Sequence, residues 1–363
     1  MAKINILQIT TNFNYSCGVS THIFLILKEL RKLACFNIYL ITSGGDALKR
    51  LRDISINPVF YKFSTGWKNL LYLIPNYFAL KTFCSKNNIY IIHSHHRYPE
   101  FLAWLVSKRL HIRTISTAHS IVKRKKYFSY QSDKVIAISK SIQVHLIHRF
   151  QVNPSKIILL HNFIDPQFVY QHSFLPSQLS GINLNSKKIL LYIGRINKDK
   201  GVDVLINAFN ALKNKLIQVI LFIIGSNELN SELYKIIKDN DSIVLVEPQA
   251  SVSNFYTISD VVILPSRVEA LGYVMLEAGM FKKPFIGGNT DGIAEFIEHK
   301  KNGLLVEPGN VEALSQAIIW MLDHPKEAQT MGQRLHEKVM TLNSKEEYIA
   351  KLKNIYYELA SAE

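Results

Sequence analysis

The sequence predicts an α/β protein of two tandem Rossmann-like domains facing each other across a cleft, and three observations predict it. Short β-branched runs alternate with helix-length segments almost from end to end, which is the pattern of a parallel, doubly wound sheet. The alternation breaks once, at the polar, Pro- and Gly-bearing stretch NFIDPQFVYQHSFLPSQLSGINLNS (162–186), and then restarts. With 363 residues, of which 48% are hydrophobic and 20% charged, the chain is long enough for two cores.

The elements follow in order. INILQIT (4–10) reads as the first strand, and VSTHIFLILKELRKL (19–33) repeats apolar residues at helical spacing. FNIYLIT (36–42), IYIIHSHH (89–96), IRTISTAHS (112–120), DKVIAIS (133–139) and SKIILLHN (155–162) are further strands, with PEFLAWLVSKRL (99–110) and SKSIQVHLIHRF (139–150) as helices between them. After the break come KKILLYIG (187–194), a run around Gln218 to Ile224, IVLVE (243–247), DVVILPS (260–266) and KPFIGG (283–288). The predicted organisation is an N-terminal domain over 1–168, a linker over 169–185 and a C-terminal domain over 186–345. KEEYIAKLKNIYYELA predicts a helix in the tail 346–363, which the sequence leaves free to pack on either domain, including back on the N-terminal one.

Composition narrows the class. The longest apolar runs, such as Leu70 to Leu80, contain Asn and Pro and fall short of the roughly 18 residues of a spanning helix. MAKINILQIT enters the strand pattern directly, without an apolar core and small-residue cleavage site, and so is read as cytosolic. Cys17, Cys35 and Cys84 are odd in number and lack metal-ligand spacing. Residues 1–180 hold 23 Lys+Arg against 6 Asp+Glu, net +17, whereas residues 181–363 hold 20 against 22, net −2. The basic half suits an anionic partner, a membrane face or a nucleic acid, the plain alternative being a solvated Lys-rich surface.

Candidate site residues gather at strand ends. Gly18 in TTNFNYSCGVSTH opens a helix, where a missing side chain lets phosphate or sugar approach backbone amides; by itself, a glycine there is also ordinary turn punctuation. HSHHRYP and TAHS place His93, His95, His96 and His119 at strand ends. Each alone reads as a packed or surface histidine, and the clustering singles out His119. LYIGRINKDKGVDVLINAF puts Gly194 and Arg195 at a strand end and Lys200 before a helix start, so that two cations can hold one diphosphate without a metal. SRVEALGYVMLEAGMFKKP sets Glu269 in a loop and Glu277 on the following helix. The amides of Ala270, Leu271, Gly272 and Tyr273 are helix-start donors for an anionic or polyhydroxy ligand. Glu277 suits a ribose diol, and Glu269 suits sugar hydroxyls or a developing oxocarbenium charge.

These motifs together resemble the GT-B glycosyltransferases of family four, retaining enzymes that use nucleotide sugars. The match comprises the E-x7-E pair Glu269 and Glu277, SDVVILPS before it, KPFIGGNTDGIAEFIEHKKNGLLVEPGN after it, GRINKDKGVDVLINAF, DKVIAISKSIQ, HNFID and the Gly18 loop, covering nearly the whole chain in the family's order. The resemblance implies that Arg195 and Lys200 bind the donor diphosphate and that Glu277 holds the nucleotide ribose. Glu269, with the amides of Leu271 and Gly272, would hold the transferred sugar; His119 would contact that sugar, and Gly18 would admit the phosphates. It also implies retention of anomeric configuration without a protein nucleophile, and no metal cofactor. Cys17 stands where the family often has a second glycine, and Asp291 where a glycine is common. Asp239-Asn240-Asp241 matches the Asp-x-Asp metal motif of a different glycosyltransferase fold, a three-residue match that arises easily by chance.

The expected donor is a UDP-sugar carrying a hexose or N-acetylhexosamine, with GDP-mannose as an alternative and a non-catalytic sugar-binding or scaffold subunit as another. IVKRKKYFSY (121–130) interleaves Lys123, Arg124, Lys125 and Lys126 with aromatics, and the stretch from Trp67 to Phe83 is amphipathic or, alternatively, a core helix. No RNA-binding motif accompanies them, so nucleic acid is set aside. The expected acceptor is a lipid-linked saccharide of bacterial O-antigen, capsule or lipopolysaccharide synthesis, met by a peripheral enzyme on the cytoplasmic face of the inner membrane.

Overall fold

The computed structural model describes residues 3–64, 66–122, 128–170, 184, 186–212, 218–226, 231–342 and 344–361. The expectations for Lys123–Tyr127, for the side chains of Trp67 and Asp291, and for most of the 169–185 linker lie outside this set. The chain forms two compact units, one from residues 1–163 and 343–363, the other from 164–342.

The first unit contains β1 (Ile4–Ile9), α1 (Gly18–Leu30), β2 (Phe36–Thr42), α2 (Leu48–Asp53), β3 (Val59–Phe60), α3 (Leu73–Lys86), β4 (Ile91–Ser94), α4 (Arg97–Leu110), β5 (Arg113–Ala118), β6 (Lys134–Ala137), α5 (Lys140–Phe150) and β7 (Ile157–Leu159). Its seven strands lie in the order β3-β2-β1-β4-β5-β6-β7, with all pairs parallel. Parallel strands packed by helices on both faces must be apolar on both faces. The buried run Ile6, Leu7, Ile9 of β1 and Ile91, Ile92 of β4 meets that need, and Leu7, Ile9 and Ile92 pack with Leu102, Ala103 and Val106 of α4.

The second unit begins with the short helix α6 (Pro166–Val169) and continues with β8 (Lys188–Ile193), α7 (Val202–Ala211), β9 (Val219–Ile224), α8 (Ser231–Lys238), β10 (Ile243–Val246), α9 (Ser253–Ile258), β11 (Val261–Leu264), α10 (Tyr273–Met280), β12 (Phe285–Gly288), α11 (Asp291–Ala294), β13 (Leu304–Val306), α12 (Val311–Asp323) and α13 (Pro325–Met340). Its parallel sheet has the order β10-β9-β8-β11-β12-β13. The step between units falls after Phe163 rather than after residue 168, because α6 packs on α10 and the Tyr170 hydroxyl just past it donates to the Met280 carbonyl at 2.5 Å. The tail helix α14 (Lys345–Ser361) returns to the first unit, where it buries Tyr348, Leu352 and Tyr356 and contacts α1 and β4.

In each sheet the winding reverses beside its first strand, between β1 and β4 and between β8 and β11. Ligands of open parallel sheets bind beyond the carboxyl ends of the strands at such a reversal. Each unit therefore has one expected ligand position, at residues 10–18 and 95–96 in the first and at 194–201 and 265–272 in the second.

Candidate functional site

At the reversal of the second unit, β8 is followed by Gly194 and Arg195, and the buried Tyr192 hydroxyl donates to the Arg195 carbonyl at 2.7 Å. This bond fixes the backbone while the Arg195 side chain stays exposed. Asn197 then caps a single helical turn over Lys198–Lys200 by accepting from the Lys200 amide at 3.2 Å. Gly201 follows with φ +70°, and a Cβ there would lie 2.0 Å from the Pro265 carbonyl oxygen. Only glycine permits both that dihedral and that approach.

The same approach brings the two loops into register. Arg267 donates its amide to the Asp199 carbonyl at 2.8 Å, and its guanidinium clasps Asp203 at 2.7 and 2.9 Å while reaching the Lys198 carbonyl at 2.6 Å. Across this seam Lys200 Nζ meets Glu269 Oε2 at 2.5 Å, with the side chains only 18% and 12% exposed. On the far side the Gly292 amide donates to the Glu269 carbonyl at 3.1 Å, and a Cβ on Gly292 would lie 2.2 Å from the Ala270 carbonyl carbon. The loop carrying Glu269 is thus held from two sides by backbone contact.

Past Glu269, Leu271 is buried and Gly272, at φ +85°, caps α10, with Tyr273 as its first residue. The amides of Leu271 and Gly272 donate to no acceptor among the described residues. Glu277 lies on α10 and accepts at 2.7 Å from the hydroxyl of the buried Tyr256. Burial, reinforced by the neighbouring carboxylate, pushes the Tyr256 phenol well above its ordinary pKa, so it stays a donor. The structure brings Lys200 and Glu269 into contact and sets Gly194, Arg195, Leu271, Gly272, Tyr273 and Glu277 on the loops and helix of this one reversal. Asp239 and Asp241 flank a turn between α8 and β10, where Asn240 bonds the Asn210 side chain at 2.9 Å and the Ser242 amide at 3.1 Å, an ordinary turn-forming use of such residues.

Gly18 and His119 belong to the first unit. Gly18 opens α1 with Cys17 at the N-cap, where the thiol makes no capping bond. His119 follows β5, and its Nε2 lies 3.1 Å from His95 Nδ1. His93 is a core histidine, held between the Tyr356 hydroxyl and Thr117 Oγ1 at 2.7 Å each. His96 Nδ1 accepts from the Thr11 amide at 3.3 Å. A cavity of about 270 Å³ lies here, lined among others by Ser94, His96, Glu100, Ser116, His119 and Tyr130. Glu100 accepts from the Tyr130 and Ser132 amides and the Ser132 hydroxyl at 2.9–3.0 Å, yet burial still raises its carboxyl to about 7. Its sequence signal was an acid opening the otherwise apolar helix PEFLAWLV.

The chain matches the sequence pattern of Glycosyltransferase Family 4 over residues 17–168 and that of Glycosyl transferases group 1 over 180–338, one for each half. The chain belongs to the GT-B glycosyltransferases of family four. This glycosyltransferase is 25% identical over 344 residues to N-acetyl-alpha-D-glucosaminyl L-malate synthase of Bacillus anthracis, covering 89% of each chain. It is 27% identical over 231 residues to the capsular polysaccharide biosynthesis glycosyltransferase CapM of Staphylococcus aureus, covering 61% of this chain and 60% of that one. The Anabaena HepE structure in complex with UDP-glucose superposes with a TM-score of 0.84 at 17% identity, covering 98% of this chain and 100% of that one. The transferase class expected from the motifs is met.

Proposed function

We propose that the protein transfers a hexose or N-acetylhexosamine, with retention, from a UDP-sugar to a lipid-linked saccharide. The observation that carries this reading is the Lys200–Glu269 pair, seated beside the amides of Leu271 and Gly272 and on the same reversal as Glu277. Arg195 and Lys200 take the diphosphate, and Glu277, held by Tyr256, accepts from the ribose diol. Lys200 holds Glu269 in place for the sugar hydroxyls, with His119 as a further sugar contact. As the bond from C1 to the phosphate oxygen breaks, the acceptor oxygen bonds to C1 on the same face and its proton passes to the departing phosphate. Charge on that phosphate is met by cationic side chains, so the transfer needs no metal.

The acceptor side rests on the first unit. Its residues sum to 26 Lys+Arg against 9 Asp+Glu, net +17. Leu70, Leu71, Ile74 and Phe78 are exposed along one side of α3 and the turn before it, while Asn76, Leu80 and Cys84 of the same helix are buried. An exposed aliphatic stripe on a basic unit suits an anionic bilayer surface, as for a peripheral enzyme on the cytoplasmic face of the membrane. CapM, by its name a capsular enzyme, favours a surface-polysaccharide acceptor. The malate in the name of the Bacillus relative favours a second reading, a small soluble hydroxy-acid acceptor.

A thermal-shift screen against UDP, GDP, ADP and UMP in EDTA, with Glu277→Ala as control, tests the donor. A single diphosphate raising Tm in wild type and not in the control supports the reading, since ligand at 100 times its Kd adds about 2.7 kcal/mol. No shift with any nucleotide refutes it, and a shift only with metal refutes the cationic clamp. Flotation with anionic against neutral liposomes separates the membrane acceptor from the soluble one.

A further inference from the structure

Behind His119 runs a chain of buried groups that joins the strand-end histidines to Gln8 and Tyr356, which no site motif includes. His95 Nδ1 lies 3.1 Å from His119 Nε2, and His95 Nε2 lies 2.7 Å from Gln8 Oε1. The Gln8 amide nitrogen donates to the Tyr356 hydroxyl at 2.9 Å, that hydroxyl lies 2.7 Å from His93 Nδ1, and His93 Nε2 lies 2.7 Å from Thr117 Oγ1. Gln8, His93 and Tyr356 are wholly buried.

The proton positions follow from Gln8. Its carbonyl oxygen can only accept, so His95 Nε2 carries the proton. Burial holds His95 and His119 well below their ordinary pKa, so each ring carries one proton. His95 Nδ1 is therefore bare and must accept, which puts the His119 proton on Nε2. His119 Nδ1 is left as an acceptor with no partner among the described residues. Turning the Gln8 amide over reverses every step and moves the His119 proton to Nδ1.

We infer that Gln8 is a positioning residue: through His95 it fixes His119 as the Nε2–H tautomer, so that Nδ1 accepts a hydrogen bond from a hydroxyl of the bound sugar. This rests on the proposed role of His119 in sugar binding. In this orientation the Gln8 amide nitrogen donates to Tyr356 of the returning helix α14.

Ring-15N-labelled histidine NMR of the whole wild-type chain tests it without reference to activity, with His119→Asn to assign the signal. The expected result is a proton on His119 Nε2, and a proton on Nδ1 or an averaged mixture of tautomers overturns the inference. Gln8→Leu supplies the second arm. Without an acceptor at position 8, His95 loses the bond that sets its proton, and His119 loses its fixed tautomer with it. The expected result is an averaged mixture of His119 tautomers, with a lower kcat and an unchanged UDP-induced thermal shift. A His119 still held as Nε2–H, or unchanged kcat with the mixture, overturns it. Absence of any UDP shift in wild type would instead refute the donor reading and leave the tautomer result standing.

Discussion

At the scale of single residues, the two acids of the E-x7-E pair differ in what holds them. Glu269 is held by a cation across a loop seam, Glu277 by a buried phenol on α9. Lys200→Ala leaves the Glu269 carboxylate, 12% exposed, without its partner. The expected cost is about 1–3 kcal/mol of stability, between the limits for surface and buried pairs. A fall in transfer rate of about a hundredfold or more should accompany it, measured by steady-state kinetics beside a melt. A variant with near wild-type kcat would remove Lys200 from the clamp. Tyr256→Phe is milder. It deletes one hydrogen bond worth about 1–1.5 kcal/mol, so nucleotide affinity should weaken about fivefold to tenfold while the fold persists. Titration calorimetry with UDP reads this directly, and an unchanged Kd would show that Glu277 needs no support from Tyr256.

At the scale of elements, the site is a meeting of two loops, and glycine makes the meeting possible. Gly201→Ala puts a Cβ 2.0 Å from the Pro265 oxygen at a φ that L-residues resist. The β8–α7 and β11–α10 loops must part, at a cost of about 1–3 kcal/mol for the dihedral alone. Tm should fall by several degrees and UDP binding should weaken with it; a variant melting like wild type would mean that the loops tolerate separation. Such seams explain what was legible in the sequence and what was not. The long strands and the parallel order followed from β-branched runs such as FNIYLIT, whose predicted span 36–42 is that of β2. The two-residue β3 and three-residue β13 went unread, β3 because two residues carry no periodicity and β13 because GLLVEPG lacks the longer apolar run that made the equally short β7 legible in SKIILLHN. Lys200 and Glu269 were each legible at a strand end, but their contact joins residues 69 apart in sequence. Arg267–Asp203 and Tyr256–Glu277 were missed for the same reason, since each acts through a partner from another element.

At the scale of the whole molecule, the two units carry different electrostatic burdens, and pH should separate them. His22, His93, His95, His96 and His119 all lie in the first unit. Burial draws His22 and His93 down to about 3 and His96 to about 4, with His95 and His119 also well below the ordinary value. In the unfolded chain these rings titrate near 6.5. Below that pH the unfolded state binds protons that the folded state refuses, so stability falls as pH falls. Each fully uncharged ring costs about 1.4 kcal/mol per pH unit. Above 6.5 the five rings contribute no slope. Glu100 acts with the opposite sign: its carboxyl, raised from 4.5 to about 7, retains a proton in the folded state that the unfolded state has lost. Between 4.5 and 6.5 it offsets one ring of the five. The net slope in that window is therefore acid-destabilising and confined to the first unit. Scanning calorimetry from pH 7.5 to 5, with UDP added to mark the transition of the second unit, should show one transition dropping steeply below pH 6.5. The UDP-responsive one should move far less. Two transitions shifting in parallel, or neither shifting, would mean that the histidine cluster takes up protons in the folded state, and the tautomer relay behind His119 would lose the neutral rings it depends on.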